Sequence, residues 1–91
     1  MMIARRFIIK GRVQGVGFRY FAVTAARRSG VTGWVRNLPD GSVEAVAEGS
    51  SPAMDDFRKH LRAGPSSGRV TSVAESELAV TGSFNGFDVK F

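Results

Sequence analysis

Gly11-Arg12-Val13-Gln14-Gly15-Val16-Gly17-Phe18-Arg19 is the stretch on which the fold turns. Upstream of it, Phe7 and Ile9 alternate with Ile8 and Lys10, so residues about 4–12 are predicted to be extended. Downstream, Phe18, Phe21, Ala22, Ala25 and Ala26 fall at i, i+3, i+4, i+7 and i+8, the stripe of a helix that buries one side. Between them stand three glycines in seven positions. Glycine tolerates φ > 0, so the backbone can turn tightly there and aim successive N–H groups inward. Inward amides at the mouth of a helix form an anion cradle, and the helix dipole adds roughly half a positive charge. Arg19 sits in the first turn, where a guanidinium can clamp a phosphate with two parallel hydrogen bonds. Strand, glycine loop, arginine and helix together describe a phosphate site.

The rest of the chain supplies partners for this unit. Ser29-Gly30 should stop the helix, with glycine as its natural C′ residue. Val31 to Leu38 reads as a second strand, Pro39-Asp40-Gly41 as a tight turn, and Ser42 to Glu48 as a third strand. In that third strand Val43, Ala45 and Ala47 alternate with Glu44, Val46 and Glu48, which predicts a mostly solvated reverse face. Ser51-Pro52 marks a second helix start, with Ser51 as N-cap, and Met54, Phe57 and Leu61 form its buried stripe. Gly64-Pro65 ends it; Arg69 to about Val80 is a fourth strand and Phe87 to Phe91 a short fifth. The order βαββαβ plus a terminal strand predicts an α+β, ferredoxin-like sandwich, with two helices on one face of a largely antiparallel sheet of order 4-1-3-2. In that topology strands 1 and 2 are parallel. The glycine loop after the first and Asn37 at the end of the second should therefore face one site.

Ninety-one residues allow one small domain, and an apolar fraction of 43% suffices for its core. The chain has no cysteine, which excludes disulfides, a thiol nucleophile and Cys-based zinc sites; a lone His60 argues against any metal centre. The apolar run after the basic Met1–Arg6 segment is only three residues long, so neither an export signal nor a membrane span is expected, and a soluble cytoplasmic protein is the default. The net charge of +5 suits an anionic partner, although scattered arginines such as Arg5, Arg27 and Arg62 read as solvated surface.

The loop is not a Walker loop, because it holds no lysine, and it lacks the third glycine of a dinucleotide fingerprint. It resembles, nearly residue for residue, the phosphate-binding loop of the acylphosphatase family. A second stretch, Gly33-Trp34-Val35-Arg36-Asn37-Leu38-Pro39-Asp40-Gly41-Ser42-Val43-Glu44 with Gly49 closing it, is similar to that family's other signature. The resemblance continues to Gly86-Phe87-Asp88-Val89-Lys90-Phe91, so it implies a single acylphosphatase-like domain over residues 1–91. It also implies that Arg19 and Asn37 are the catalytic pair and that no metal or other cofactor is used.

The residue chemistry agrees with that implication. The shared edge offers backbone amides of Gln14, Gly15, Val16, Gly17 and Phe18 for substrate binding, one guanidinium and one carboxamide. Neither motif core carries a carboxylate, histidine or thiol placed to act. A phosphomonoester, with its poor leaving group, usually demands metals or a covalent nucleophile. An acyl phosphate leaves as a weakly basic carboxylate, so positioning and charge stabilisation can carry the reaction. The expected function is metal-free hydrolysis of acyl phosphates to a carboxylate and inorganic phosphate, with Asn37 placing the water.

Two rival readings share the topology. An RNA-binding module would stack bases on aromatics of its central strands, but Ser42–Glu48 has no aromatic and two acids. A carbamoyl-phosphate-handling module, like the acylphosphatase-like domain inside hydrogenase maturation proteins, would be accompanied by cysteine-rich zinc fingers, and this chain has no cysteine. The expected partners are therefore a small acyl phosphate and phosphate, with no nucleic acid or membrane, and nothing requires more than a monomer. Trp34 and Tyr20 read as packing residues and His60 as a solvated side chain.

Overall fold

The computed structural model describes residues Met1–Phe91. Strand β1 (Met2–Arg12) leads through the glycine loop into helix α1 (Phe18–Ser29), which Gly30 caps. Strands β2 (Thr32–Asn37) and β3 (Val43–Ser50) form a hairpin; helix α2 (Ser51–Ala63), strand β4 (Arg69–Leu78) and strand β5 (Phe87–Val89) follow. The sheet order is β4-β1-β3-β2-β5, which is the expected 4-1-3-2 with the fifth strand added beside β2. Every pairing is antiparallel except β2 with β5.

Side-chain alternation decides what each strand face meets. Phe7 and Ile9 of β1, Val35 of β2 and Val43, Ala45 and Ala47 of β3 share one face and are fully buried under the helices. Met54, Phe57 and Leu61 of α2 close over them, as their i, i+3, i+7 spacing requires. Phe57 packs edge-on against both Phe7 and Phe87, with ring centroids 5.9 and 5.4 Å apart. Truncating such a central aromatic to alanine removes about 3–5 kcal/mol.

The structure corrects the reading in three places. The cap of α2 is Ser50, whose hydroxyl accepts from the Ala53 N–H at 3.2 Å, so Ser51 is the first helical residue. Two adjacent serines before a proline look alike in sequence, and only the extended backbone of Ser50 marks it as the cap. The strand ends also shift: β1 already begins at Met2 and β3 runs from Val43 to Ser50, while β2 starts at Thr32 and stops at Asn37, β4 stops at Leu78, and β5 at Val89.

The third correction is larger. The reverse face of β3 is buried, with Glu44 and Glu48 only 4% and 3% exposed. The segment between β4 and β5 must travel from one edge of the sheet to the other, and Thr81 and Gly82 bind Glu48 on the way. Glu48 accepts from the Thr81 N–H (2.9 Å), the Thr81 hydroxyl (2.7 Å) and the Gly82 N–H (3.0 Å). Glu44 lies between Arg6 and Arg36, accepting from one Nε at 2.5 Å and the other at 2.6 Å. Burial pushes both carboxyls up, but these donors outweigh it and hold both below the usual carboxylate range.

Candidate active site

Because β1 and β2 both pair antiparallel with β3, they run parallel and end at the same edge of the sheet. The glycine loop leaves that edge from β1. Gly15 and Gly17 adopt φ of 72° and 78°, a region that side chains with a Cβ rarely enter. Nothing lies within 4 Å of the place a Cβ would occupy at either position, so dihedral geometry and not crowding demands glycine. Gly17 is the N-cap of α1 and has no side chain to cap the helix. The first helical bond runs from the Phe21 N–H to the Gly17 carbonyl at 3.0 Å. None of the backbone N–H groups from Gln14 to Tyr20 finds an acceptor within the chain. These are the donors that the anion cradle requires.

The loop is held from behind. The Gln14 side-chain Nε2 donates to the carbonyls of Leu38 (2.7 Å) and Ser42 (2.9 Å), tying the loop to the β2–β3 turn. The Ser67 hydroxyl donates to the Val16 carbonyl at 2.8 Å. Within the turn, the Asp40 carboxylate accepts from the Ser42 hydroxyl and N–H, and these bonds hold its carboxyl below the usual range. Gln14 therefore contributes more than the amide expected of it. Its side chain had no signal in the sequence, because its partners lie 24 and 28 residues away. Phe18 and Val16 offer only their backbone to the site: the Phe18 ring is buried in the core and Val16 packs against it.

Arg19 and Asn37 are brought together. Asn37 follows Val35 by two and so shares the helix-covered face, directly where α1 begins. Both residues line a pocket of about 160 Å³ with Gly15 and Gly17. Both also line an adjoining cleft of about 430 Å³. No carboxylate pairs with Arg19; its guanidinium carbon stands 5.6 Å from the centre of the Phe91 ring. A cation in the first turn opposes the helix dipole, so its placement favours an anion beside it. The Asn37 Oδ1 is buried and has no hydrogen-bond partner, the only such side-chain atom in the chain. Buried acceptors of this kind are rare and cost about 1–3 kcal/mol, so they point to a role other than stability.

The aromatic expectations fare unevenly. Tyr20 is 73% exposed beside the pocket and does not pack. Trp34 packs, but against cations: the Lys90 Nζ and the Arg36 guanidinium lie 4.5 and 5.2 Å from its ring centre. The His60 Nδ1 is 2.8 Å from the Asp56 carbonyl, on α2 and outside both pockets. No group of three His, Cys, Asp or Glu side chains is placed to hold a metal ion, and no helix is long and apolar enough to cross a membrane.

Known proteins carry the same architecture. The crystal structure of acylphosphatase from Bacillus subtilis matches with a TM-score of 0.93 and 36% identity, over 100% of both chains. The structure of T. kodakarensis HypF matches with a TM-score of 0.85 and 30% identity, over 98% of this chain but 12% of that one. A curated acylphosphatase of Methylococcus capsulatus is 50% identical over 82 residues, 90% of this chain and 89% of the relative. The sequence model of the acylphosphatase family matches residues 5–89, nearly the whole of the sheet and both helices. On that span and that identity, the chain belongs to the acylphosphatase family.

Proposed function

We propose that residues 1–91 act as one domain that hydrolyses acyl phosphates to a carboxylate and inorganic phosphate without a metal ion. The observation that carries this reading is the buried, unpartnered Asn37 Oδ1 in the same pocket as the unpaired Arg19 and the free loop amides. In this scheme the amides from Gln14 to Phe18 and the Arg19 guanidinium hold the phosphoryl oxygens and neutralise charge as it grows. The Asn37 carboxamide, with both a donor and an acceptor, hydrogen-bonds a water and aims its oxygen at phosphorus. The water oxygen bonds to phosphorus as the bond from phosphorus to the acyl oxygen breaks, and the bonding pair leaves on the carboxylate. The proton of the attacking water passes to a phosphoryl oxygen, because no Asp, Glu or His side chain lines either pocket. A carboxylate leaving group needs no general acid, which is why so sparse a site suffices.

The same topology could serve RNA, but the outer sheet face argues against that use. Its central strand presents Glu44 and Glu48, and Thr81 and Gly82 cover the second of them. Base stacking requires exposed aromatics at such positions. The reading therefore takes a free small molecule as substrate and the cytoplasm as the place of action.

The test is turnover of benzoyl phosphate and of carbamoyl phosphate with chelator present, beside p-nitrophenyl phosphate and a titration with single-stranded RNA. Both acyl phosphates should be hydrolysed, inorganic phosphate should compete with them, and the phosphomonoester should be inert. Turnover lost to chelator and restored by a divalent ion would overturn the metal-free mechanism. RNA binding without hydrolysis would overturn the enzymatic one.

A further inference from the structure

The cleft that adjoins the phosphate pocket has a charge pattern of its own. Arg19, Arg36 and Lys90 line it together with Leu38, Pro39 and Phe91, and no acidic residue does. Arg19 also belongs to the phosphate pocket, which leaves Arg36 and Lys90 to whatever lies beyond the phosphoryl group.

The fold leaves Lys90 without an acidic partner and engages Arg36 only in part. Arg36 donates its Nε to Glu44, but Glu44 is shared with Arg6, so that group of three retains a net positive charge. Lys90 has no acidic partner, and its ammonium rests 4.5 Å from the centre of the Trp34 ring. The Lys90 N–H donates to the Val35 carbonyl at 2.8 Å, which fixes the residue at the end of the sheet. Trp34 and Arg36 are two apart on β2 and so share the face opposite Val35. Both cations rest against the Trp34 ring, which limits where each can stand.

The phosphoryl end of any acyl phosphate faces Arg19 and the loop, so the acyl end must extend into this cleft. We propose that the cleft selects acyl phosphates whose acyl group carries a second anionic group, which Lys90 and Arg36 bind. This assignment rests on the acyl phosphate reading above and names the substrate class for it. A plain aliphatic or aromatic acyl group would meet Leu38, Pro39 and Phe91 but would leave Lys90 without an anionic partner and Arg36 with only its share of Glu44. A carboxylate or second phosphate would complete them with charge-assisted hydrogen bonds.

The test compares 4-carboxybenzoyl phosphate with 4-methylbenzoyl phosphate, rigid acyl phosphates of similar length, each kcat/KM divided by the uncatalysed rate. The carboxylated substrate should be favoured roughly tenfold at low ionic strength, and half-molar salt should shrink that ratio severalfold by screening. Lys90→Gln should bring the ratio close to one, and Lys90→Glu should invert it. Circular dichroism shows which variants are folded, and the salt series on the unmodified protein needs no variant. Equal turnover of both acyl phosphates by the unmodified protein, or a ratio unchanged in Lys90→Glu, would overturn the assignment while leaving acyl phosphate hydrolysis intact. Hydrolysis of neither acyl phosphate would overturn both.

Discussion

On the outer face of β3, Glu48 accepts three hydrogen bonds from Thr81 and Gly82, while at the end of β2 the Asn37 Oδ1 accepts none. Both groups are withdrawn from water, and the fold treats them in opposite ways. Around Glu48 and Glu44 the lone pairs are met by backbone amides, a hydroxyl and two arginines, so these carboxylates fasten the β4–β5 connection and the sheet. Around Asn37 the chain leaves an acceptor, a guanidinium and a run of amides without partners. A satisfied buried group contributes to stability, whereas an unsatisfied one costs it. The difference teaches where to look for function in a small domain: where polar groups are buried and the fold has not completed them.

The strongest way to break this contrast is to remove the two unpaired side chains. Arg19→Ala should lower turnover at least roughly 10³-fold, the scale of a guanidinium that meets developing phosphoryl charge, and should also abolish competition by phosphate. Asn37→Ala should lower turnover by roughly 10²-fold while phosphate affinity changes little, since only the attacking water loses its partner. Neither variant should be less stable to urea. Arg19 has no acidic partner to lose and opposes the helix dipole, and Asn37 carries an acceptor that folding leaves unpaired. Full activity in both variants would discard the site; lost phosphate affinity in Asn37→Ala with turnover of bound substrate intact would exchange their roles.

The two regions were also unequally legible in the sequence. The glycine loop, the helix after it and the Leu38–Gly41 turn announce themselves through local signals: spacing, turn residues and the apolar stripe. The meeting of Arg19 with Asn37 followed once the strand order was drawn, because parallel strands end at one edge. The burial of Glu44 and Glu48 was not legible. Glu-Val-Glu alternation describes a solvated face unless some other segment covers it; the residues that bind Glu48 stand more than thirty positions further on, and Arg6, which binds Glu44, lies 38 positions before it. The partners of Gln14 and the position of Lys90 beside the cleft are equally non-local. What stayed hidden was a set of long-range contacts, on which local periodicity is silent.

Glu48 sharpens the other half of the contrast. Glu48→Ala should cost about 1–2 kcal/mol of stability, read as a lower urea midpoint, because the Thr81 and Gly82 N–H groups and the Thr81 hydroxyl lose their acceptor together. Activity per folded molecule should remain within about twofold, since Glu48 lies on the face away from the site. The pH dependence has a definite sign. Glu48 and Glu44 titrate below their ordinary value of 4.5, so the folded state binds fewer protons than the unfolded one near that pH. Their contribution is complete above about pH 4.5 and fades as the pH falls through the lower folded values. Glu48→Gln should flatten that acid limb. An acid limb as steep as the parent's would show that other carboxylates set it.

His60 gives the smallest expected effect and a check from outside both regions. It is the chain's single imidazole, so a general acid–base mechanism built on histidine would have to use it. Its place in the fold speaks against that. It sits on α2, its Nδ1 is 2.8 Å from the Asp56 carbonyl one turn back, and its ring centre is 6.5 Å from that of Phe21. It lines neither the phosphate pocket nor the adjoining cleft. His60→Ala should leave turnover within about threefold and the pH profile between 5 and 8 unchanged in shape, well short of the roughly 10²-fold that loss of a general acid–base group brings. A loss on that scale, in a variant with an unaltered circular dichroism spectrum, would mean that the sparse edge of the sheet does not act alone.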